Sequence, residues 1–234
     1  VRWEFAAAFA SRLAHDLSNV FTGVNGFSEL ALLHLGEDQP ARPFVKDVHR
    51  SGQRGIELAQ RLHLLRTCVT PENGRTAVAA AVVEVASALR ARLPARPAIE
   101  TNVPAHLPSV RVGAEPLQHV LTELVQNAAD AAGPSGHIEI VARAVSLGAS
   151  EASELYGQAR PGPHVEVRVT DDGPGVADDL LGRVLTSPMA TSRPEHRGLG
   201  LAIVFRVLCA HRGGFSLGRS PDCGAVARVY FPVA

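Results

Sequence analysis

The chain has 234 residues, 46% hydrophobic and 20% charged, with 23 lysines and arginines against 23 aspartates and glutamates, so its formal charge is zero. That is an ordinary composition for a chain long enough to bury a core, and it lacks the basic field that would recruit nucleic acid or anionic lipid. Cys68, Cys209 and Cys223 are far apart and not in a CxxC spacing, which indicates neither a disulfide framework nor a zinc site and fits a reducing, cytoplasmic setting.

No apolar run approaches the ~18 residues that a membrane span needs, so no membrane contact is expected of this stretch. The chain opens directly on the helix-forming residues Val1-Arg2-Trp3-Glu4-Phe5. A segment cut from something longer would begin so, and a sensor or membrane part is then expected outside it. From Phe5 to about Leu35 there is no proline, and Phe9, Leu13, Leu17, Val20, Val24, Phe27 and Ala31 recur at steps of four and three, the seam of a long helix. Gly36-Glu37-Asp38-Gln39-Pro40 breaks that pattern, and a second helix with Phe44, Val48, Ile56, Leu58, Leu62 and Leu65 runs to about Cys68. A helix of this length cannot bury its whole apolar stripe against one similar partner. A homodimer closing a four-helix bundle is the economical arrangement.

The turn cluster at 70–74 marks the expected boundary between domains at residues 1–70 and 71–234. Beyond it a helix is expected from Val78 to Leu93, short strands over Ile99 to Val103 and Ser109 to Val112, and a helix from Glu115 to Ala132, stopped by Gly133-Pro134-Ser135-Gly136. Ile138 to Arg143 and Val165 to Val169 alternate as half-buried strands, and residues 146–163 between them read as a long hairpin loop. A helix from Gly200 to His211 and strands at Phe215 to Leu217 and Ala225 to Phe231 complete the chain. This order argues an α+β fold, a mixed and mostly antiparallel sheet with helices on one face.

Within the run Glu123-Leu124-Val125-Gln126-Asn127-Ala128-Ala129-Asp130, the spacing of four and then three puts Glu123, Asn127 and Asp130 on one helix face. Hard oxygen ligands on one face suit Mg²⁺ carrying nucleotide phosphates. Taken alone, the same spacing also describes a solvated helix face. Asp171-Asp172-Gly173-Pro174-Gly175 follows a strand and leaves Asp171 at the strand end, where a carboxylate can accept a hydrogen bond from an adenine amino group; alone, it is equally a plain turn. Arg197-Gly198-Leu199-Gly200 precedes an apolar helix whose free amides can receive phosphate, with Arg197 or His196 adding charge.

In this order the three motifs resemble those of the ATP-binding domain shared by sensor histidine kinases with the gyrase, Hsp90 and MutL ATPases. The first is similar to that family's N box, DDGPG to its first glycine box and RGLGLAIV, with Leu201, to its second. The match runs from about residue 75 to 234. It implies an α/β-sandwich ATP-binding domain in which Glu123 and Asn127 hold Mg²⁺, Asp171 reads adenine, and Gly173, Gly175, Gly198 and Gly200 shape the pocket. Residues 184–193 resemble the lid region, with Thr191 and Arg193 as contacts to phosphate, although Pro188-Met189 stands where the family commonly has paired aromatics.

In the first helix, Ser11-Arg12-Leu13-Ala14-His15-Asp16-Leu17-Ser18-Asn19 resembles the histidine-kinase phosphoacceptor box. At ~100° per residue His15 projects about 200° from Leu13, on the polar face with Asn19. A neutral imidazole can attack a γ-phosphorus, Asp16 can orient the ring and take its proton, and Asn19 can position a water for phosphatase chemistry. The resemblance thus implies a histidine kinase that phosphorylates His15 with Mg-ATP and passes the phosphoryl group to an aspartate on a response-regulator receiver domain. Two alternatives remain at this level: a degenerate kinase acting as a non-catalytic phosphotransfer or scaffold dimer, and an ATPase that clamps a partner.

Overall fold

A computed structural model describes residues 2–67, 74–92, 97–176, 199–220 and 224–234, with side chains omitted for residues 2–11, 60–67, 92 and 199. The chain divides into two compact units, Val1–Thr67 and Cys68–Ala234.

The first unit is an antiparallel pair of helices, α1 (Arg2–His34) and α2 (Arg42–Thr67). The Arg42 guanidinium closes the C-terminal end of α1 by donating to the carbonyl of Leu32 at 3.0 Å and to that of Leu35, groups the helix itself cannot satisfy. Where the helices approach most closely, α2 supplies glycine: a side chain at Gly55 would strike the Phe21 ring, and one at Gly52 the Asn25 amide. The contact therefore follows Ala14, Phe21, Asn25 and Ser28 on α1, with Ala14 and Ser28 buried. The expected apolar seam is split by this geometry. Leu17 and Val24 are half-buried, whereas Leu13, Val20 and Phe27 are 45%, 60% and 76% exposed, as is Phe44 of α2 at 73%. A short polar chain crosses the pair. The Ser28 hydroxyl donates to the Asn25 carbonyl at 2.9 Å, so it accepts from His49 Nδ1 at 3.1 Å, and His49 Nε2 accepts from the Gln53 amide at 3.0 Å.

The second unit contains α3 (Val78–Arg92), β1 (Ala98–Asn102), α4 (Ala114–Ala132), β2 (His137–Leu147), α5 (Ala149–Glu154), β3 (Tyr156–Gly157), β4 (Gly162–Asp171), α6 (Leu199–Ala210), β5 (Gly214–Arg219) and β6 (Ala225–Pro232). The six strands form one sheet in the order β1-β2-β4-β6-β5-β3. β1 runs parallel to β2 and the other pairings are antiparallel. Alternation along β2 and β4 sends Ile138, Ile140, Ala142, Val165, Val167 and Val169 to one face, all buried. The helices supply the matching layer, including Val82 and Leu89 of α3, Leu117, Leu121 and Leu124 of α4, and Ile203, Val207 and Leu208 of α6. The fold is thus α+β, with helices on one sheet face.

Two expectations fail locally. Residues 109–112 form no strand; Val110 makes isolated bridges to Thr76 and Val233, hemmed in by Pro108 and Gly113. Residues 146–163 are not a simple hairpin loop, because β2 continues to Leu147 and the chain then crosses through α5 to place β3 against β5 at the far sheet edge. The Tyr156 ring there meets Phe205 of α6 edge-on at 6.4 Å, and Phe205 meets Phe215 at 5.3 Å, which fastens the edge to the helix layer.

The opposite sheet face is charged. Arg143 holds Glu166 at 2.7 Å, Arg228 lies 3.6 Å from the same carboxylate, and Arg168 pairs with Glu139 at 3.2 Å. Beside them the Tyr230 phenol is pushed above its ordinary value of 10.0, first by burial and then by the Glu166 carboxylate; burial likewise raises the Cys209 thiol above 9.0. Each group ionises at lower pH in the unfolded chain than in the folded one. Their contribution to stability is therefore complete below the ordinary values and is lost as pH rises through the folded ones. Denaturant midpoints of the wild type are expected to fall between about pH 8 and about pH 11, and the fall should be shallower in Tyr230→Phe and Cys209→Ala.

Candidate active site

Helix α4 carries the first motif because its apolar residues occupy one side: Leu117, Val120, Leu121, Leu124, Val125, Ala128 and Ala129 are buried, and Gly133, with φ 73°, ends the helix by donating its amide to the Ala129 carbonyl at 3.0 Å. Glu123, Asn127 and Asp130 lie along one side but differ in environment. Glu123 is 7% exposed, Asp130 half-buried and Asn127 exposed. A wholly solvated face is thus excluded by the burial of Glu123. Gln126 donates to Asp130 Oδ1 at 2.8 Å and steadies that carboxylate.

The reason for the burial lies on α6. The α-carbon of Gly200, in the first turn, packs directly on the Glu123 carboxylate; a Cβ there would collide with Glu123 Oε2 and lie 3.8 Å from Asn127 Nδ2. The structure thereby brings together Gly200, Glu123 and Asn127, from two motifs separated by more than seventy residues. Leu201 is half-buried in the same turn.

Asp171 ends β4 and is 6% exposed. Its Oδ1 accepts the Gly173 amide at 3.0 Å and the Ala225 amide at 3.3 Å. Gly173 sits on the end of α4, where a Cβ would come within 2.7 Å of the Ala131 carbonyl and 2.9 Å of Asp171 Oδ1. Gly175 adopts φ 75°, a conformation that favours glycine, and faces the backbone of Gly224. The first glycine turn is therefore wedged between α4 and the β5–β6 connection, and Arg219 Nε donates to the Val176 carbonyl at 3.2 Å behind it. The sequence reading missed Gly224, Ala225 and Arg219. Ala225 contributes a backbone amide, which leaves no side-chain signature, and the positive φ of Gly224 follows from its packing.

In the first unit, His15 and Asp16 are exposed on α1, with side-chain exposures of 73% and 70%. His15 Nδ1 lies 3.4 Å from both Asp16 Oδ1 and Asn19 Nδ2. When Nδ1 carries the proton toward Asp16, the lone pair is on Nε2. Thr191, Arg193, Arg197 and Gly198 lie outside the described residues, as do Pro188 and Met189. Among the described residues no group of three or more His, Cys, Asp or Glu could hold a metal ion, and no helix is long and apolar enough to cross a membrane.

Known proteins resemble this chain in sequence and in fold. The sequence is 27% identical over 230 residues to the sensory histidine kinase/phosphatase NtrB of Rhodobacter capsulatus, covering 98% of this chain and 62% of that protein. It is 26% identical over 230 residues to the sensor histidine kinase ZraS of Escherichia coli, covering 96% of this chain and 45% of ZraS. The chain thus spans less than two thirds of the length of these curated relatives. The crystal structure of full-length ShkA in complex with AMPPNP has the same fold, with a TM-score of 0.74 at 22% identity over 97% of this chain and 46% of ShkA. The family of histidine kinase-, DNA gyrase B-, and HSP90-like ATPases matches residues 113–234, the stretch from the start of α4 to the end of β6 and beyond, and the chain belongs to that family.

Proposed function

We propose that this chain is the cytoplasmic kinase core of a two-component sensor histidine kinase. Residues 1–70 form its dimerising phosphoacceptor hairpin and residues 71–234 its Mg-ATP-binding domain. The observation that carries the reading is the setting of His15: an exposed imidazole on a long helix, flanked at 3.4 Å by a carboxylate and an amide, in a chain that also carries the ATPase-family motifs.

In this reading Asp171 accepts a hydrogen bond from the adenine amino group, and the glycines at 173, 175 and 200 allow backbone to approach the nucleotide. The donor set on α4 fits Mg²⁺, since two oxygen ligands suffice for an ion that keeps waters and is otherwise held by phosphates. Glu123 and Asn127 would hold it, and its charge would offset that of the phosphates. His15 Nε2 attacks the γ-phosphorus, the N–P bond forms as the bond to ADP breaks, and Asp16 receives the Nδ1 proton so that the imidazole ring carries no positive charge. The phosphoryl group then passes to an aspartate of a response-regulator receiver domain, and Asn19 would orient a water that hydrolyses that aspartyl phosphate to free phosphate.

The exposed apolar side chains Leu13, Val20 and Phe27 of α1 and Phe44 of α2 support a homodimer, because a second copy covering them would complete a four-helix bundle. A direct test is incubation with γ-labelled ATP and Mg²⁺. The wild type is expected to take up label and His15→Gln to take up none, with equal ATP affinity in the two proteins; a His15→Gln protein that labels normally would reject the assignment.

A further inference from the structure

We infer that Gly224 and Ala225, at the start of β6, position Asp171 for base recognition. The inference rests on the reading of Asp171 as the adenine acceptor. A carboxylate that discriminates a base by one hydrogen bond must be held in a fixed rotation. Asp171 begins a glycine turn, whose own backbone supplies one donor to it, the Gly173 amide.

A second donor comes from 54 residues further along the chain. The β4–β6 ladder ends at the pair Thr170 and Val226. At the next position the Ala225 amide turns to the Asp171 side chain, donating to Oδ1 at 3.3 Å, so that the carboxylate takes the place of the next strand carbonyl. The Gly173 amide reaches the same oxygen at 3.0 Å from the other side. Two donors on one oxygen fix the rotation of the carboxylate.

Gly224 makes this possible. Its φ is 105°, and its α-carbon lies so close to the Asp171 carbonyl that any Cβ would collide with backbone. A Cβ on Gly175 would in turn lie 3.0 Å from the Gly224 carbonyl oxygen. The two positive-φ glycines interlock, and the Gly224 carbonyl accepts the Ser220 amide at 3.0 Å. Gly224 and Ala225 are positioning residues, acting on the nucleotide through Asp171.

The test compares the Mg²⁺ complexes of ATP and of purine riboside triphosphate, which lacks the 6-amino group, by calorimetric titration of the wild type, Gly224→Ala and Ala225→Pro. The wild type is expected to prefer ATP about tenfold to a hundredfold, the worth of a hydrogen bond to a charged acceptor. Each variant should bind the two nucleotides within about threefold of one another while keeping the wild-type affinity for purine riboside triphosphate. A preserved preference, or parallel loss of both nucleotides at an unchanged ratio, would overturn the positioning role. A wild type that does not discriminate would instead reject Asp171 as the adenine acceptor, and the positioning role with it. If Gly224→Ala fails to fold, Ala225→Pro decides alone, because proline is tolerated at the first residue of a strand and lacks the amide hydrogen.

Discussion

Replacing Gly200 by valine is expected to weaken Mg-ATP binding roughly tenfold to a hundredfold, the worth of one lost contact to a charged group. Gly200 has no room for a side chain, because its α-carbon rests on the Glu123 carboxylate with Asn127 beside it. Valine must displace Glu123 or push the first turn of α6 away from α4; the first movement separates the two residues proposed to hold Mg²⁺, and the second takes Gly200 off the pair. The fold itself should survive, since glycine is a poor residue within a helix and its replacement does not disfavour α6 locally. Alanine at the same position should cost less. Gly218→Ala is the matched control: a Cβ there meets nothing within 4 Å, so its nucleotide affinity should equal that of the wild type. Calorimetric titration distinguishes these outcomes, and a Gly200→Val protein of wild-type affinity would remove Glu123 and Asn127 from the site.

Asp171→Asn is expected to lower ATP affinity by about 1.5–3 kcal/mol, roughly tenfold to a hundredfold, because a charged acceptor becomes a neutral amide. The shapes are nearly the same, so the substitution isolates the charge and the acceptor. Oδ1 accepts the Gly173 and Ala225 amides. Those two bonds orient the asparagine carbonyl and thereby turn its NH₂ to the position of the other carboxylate oxygen, where a donor opposes an adenine amino group. Purine riboside triphosphate should bind Asp171→Asn and the wild type alike. If the variant binds ATP as the wild type does, Asp171 is not the base-reading group.

What could be read from the sequence was whatever leaves a period in side chains. The steps of three and four in α1, α2 and α4 mark helices, and the alternation of Ile138 and Ile140 or of Val165, Val167 and Val169 marks strands with one buried face. The helical wheel also puts His15 away from the apolar seam, and its side chain is exposed. Features set by distant packing left no such trace. The two-residue strand Tyr156–Gly157 exists because β5 pairs with it and Phe205 receives its ring; its own sequence is small and polar around a single aromatic. The division of the α1 stripe depends on Gly52 and Gly55, which sit on the other helix and draw the contact toward Phe21 and Asn25. Periodicity groups Glu123 with Asn127 and Asp130, but the burial of Glu123 follows from Gly200 lying on it. The amide of Ala225 is invisible in any side-chain pattern.

The central claim is that His15 accepts the γ-phosphoryl group of ATP, and the chemical stability of the linkage tests it most directly. Protein labelled from γ-labelled ATP and Mg²⁺ is divided between acid and alkali, and the labelled peptide is sequenced. A phosphoramidate on imidazole nitrogen should survive alkali, be lost in acid and map to His15. Label that survives acid, label on another residue, or no label from a protein that binds ATP would contradict the account, the last of these favouring a non-catalytic module.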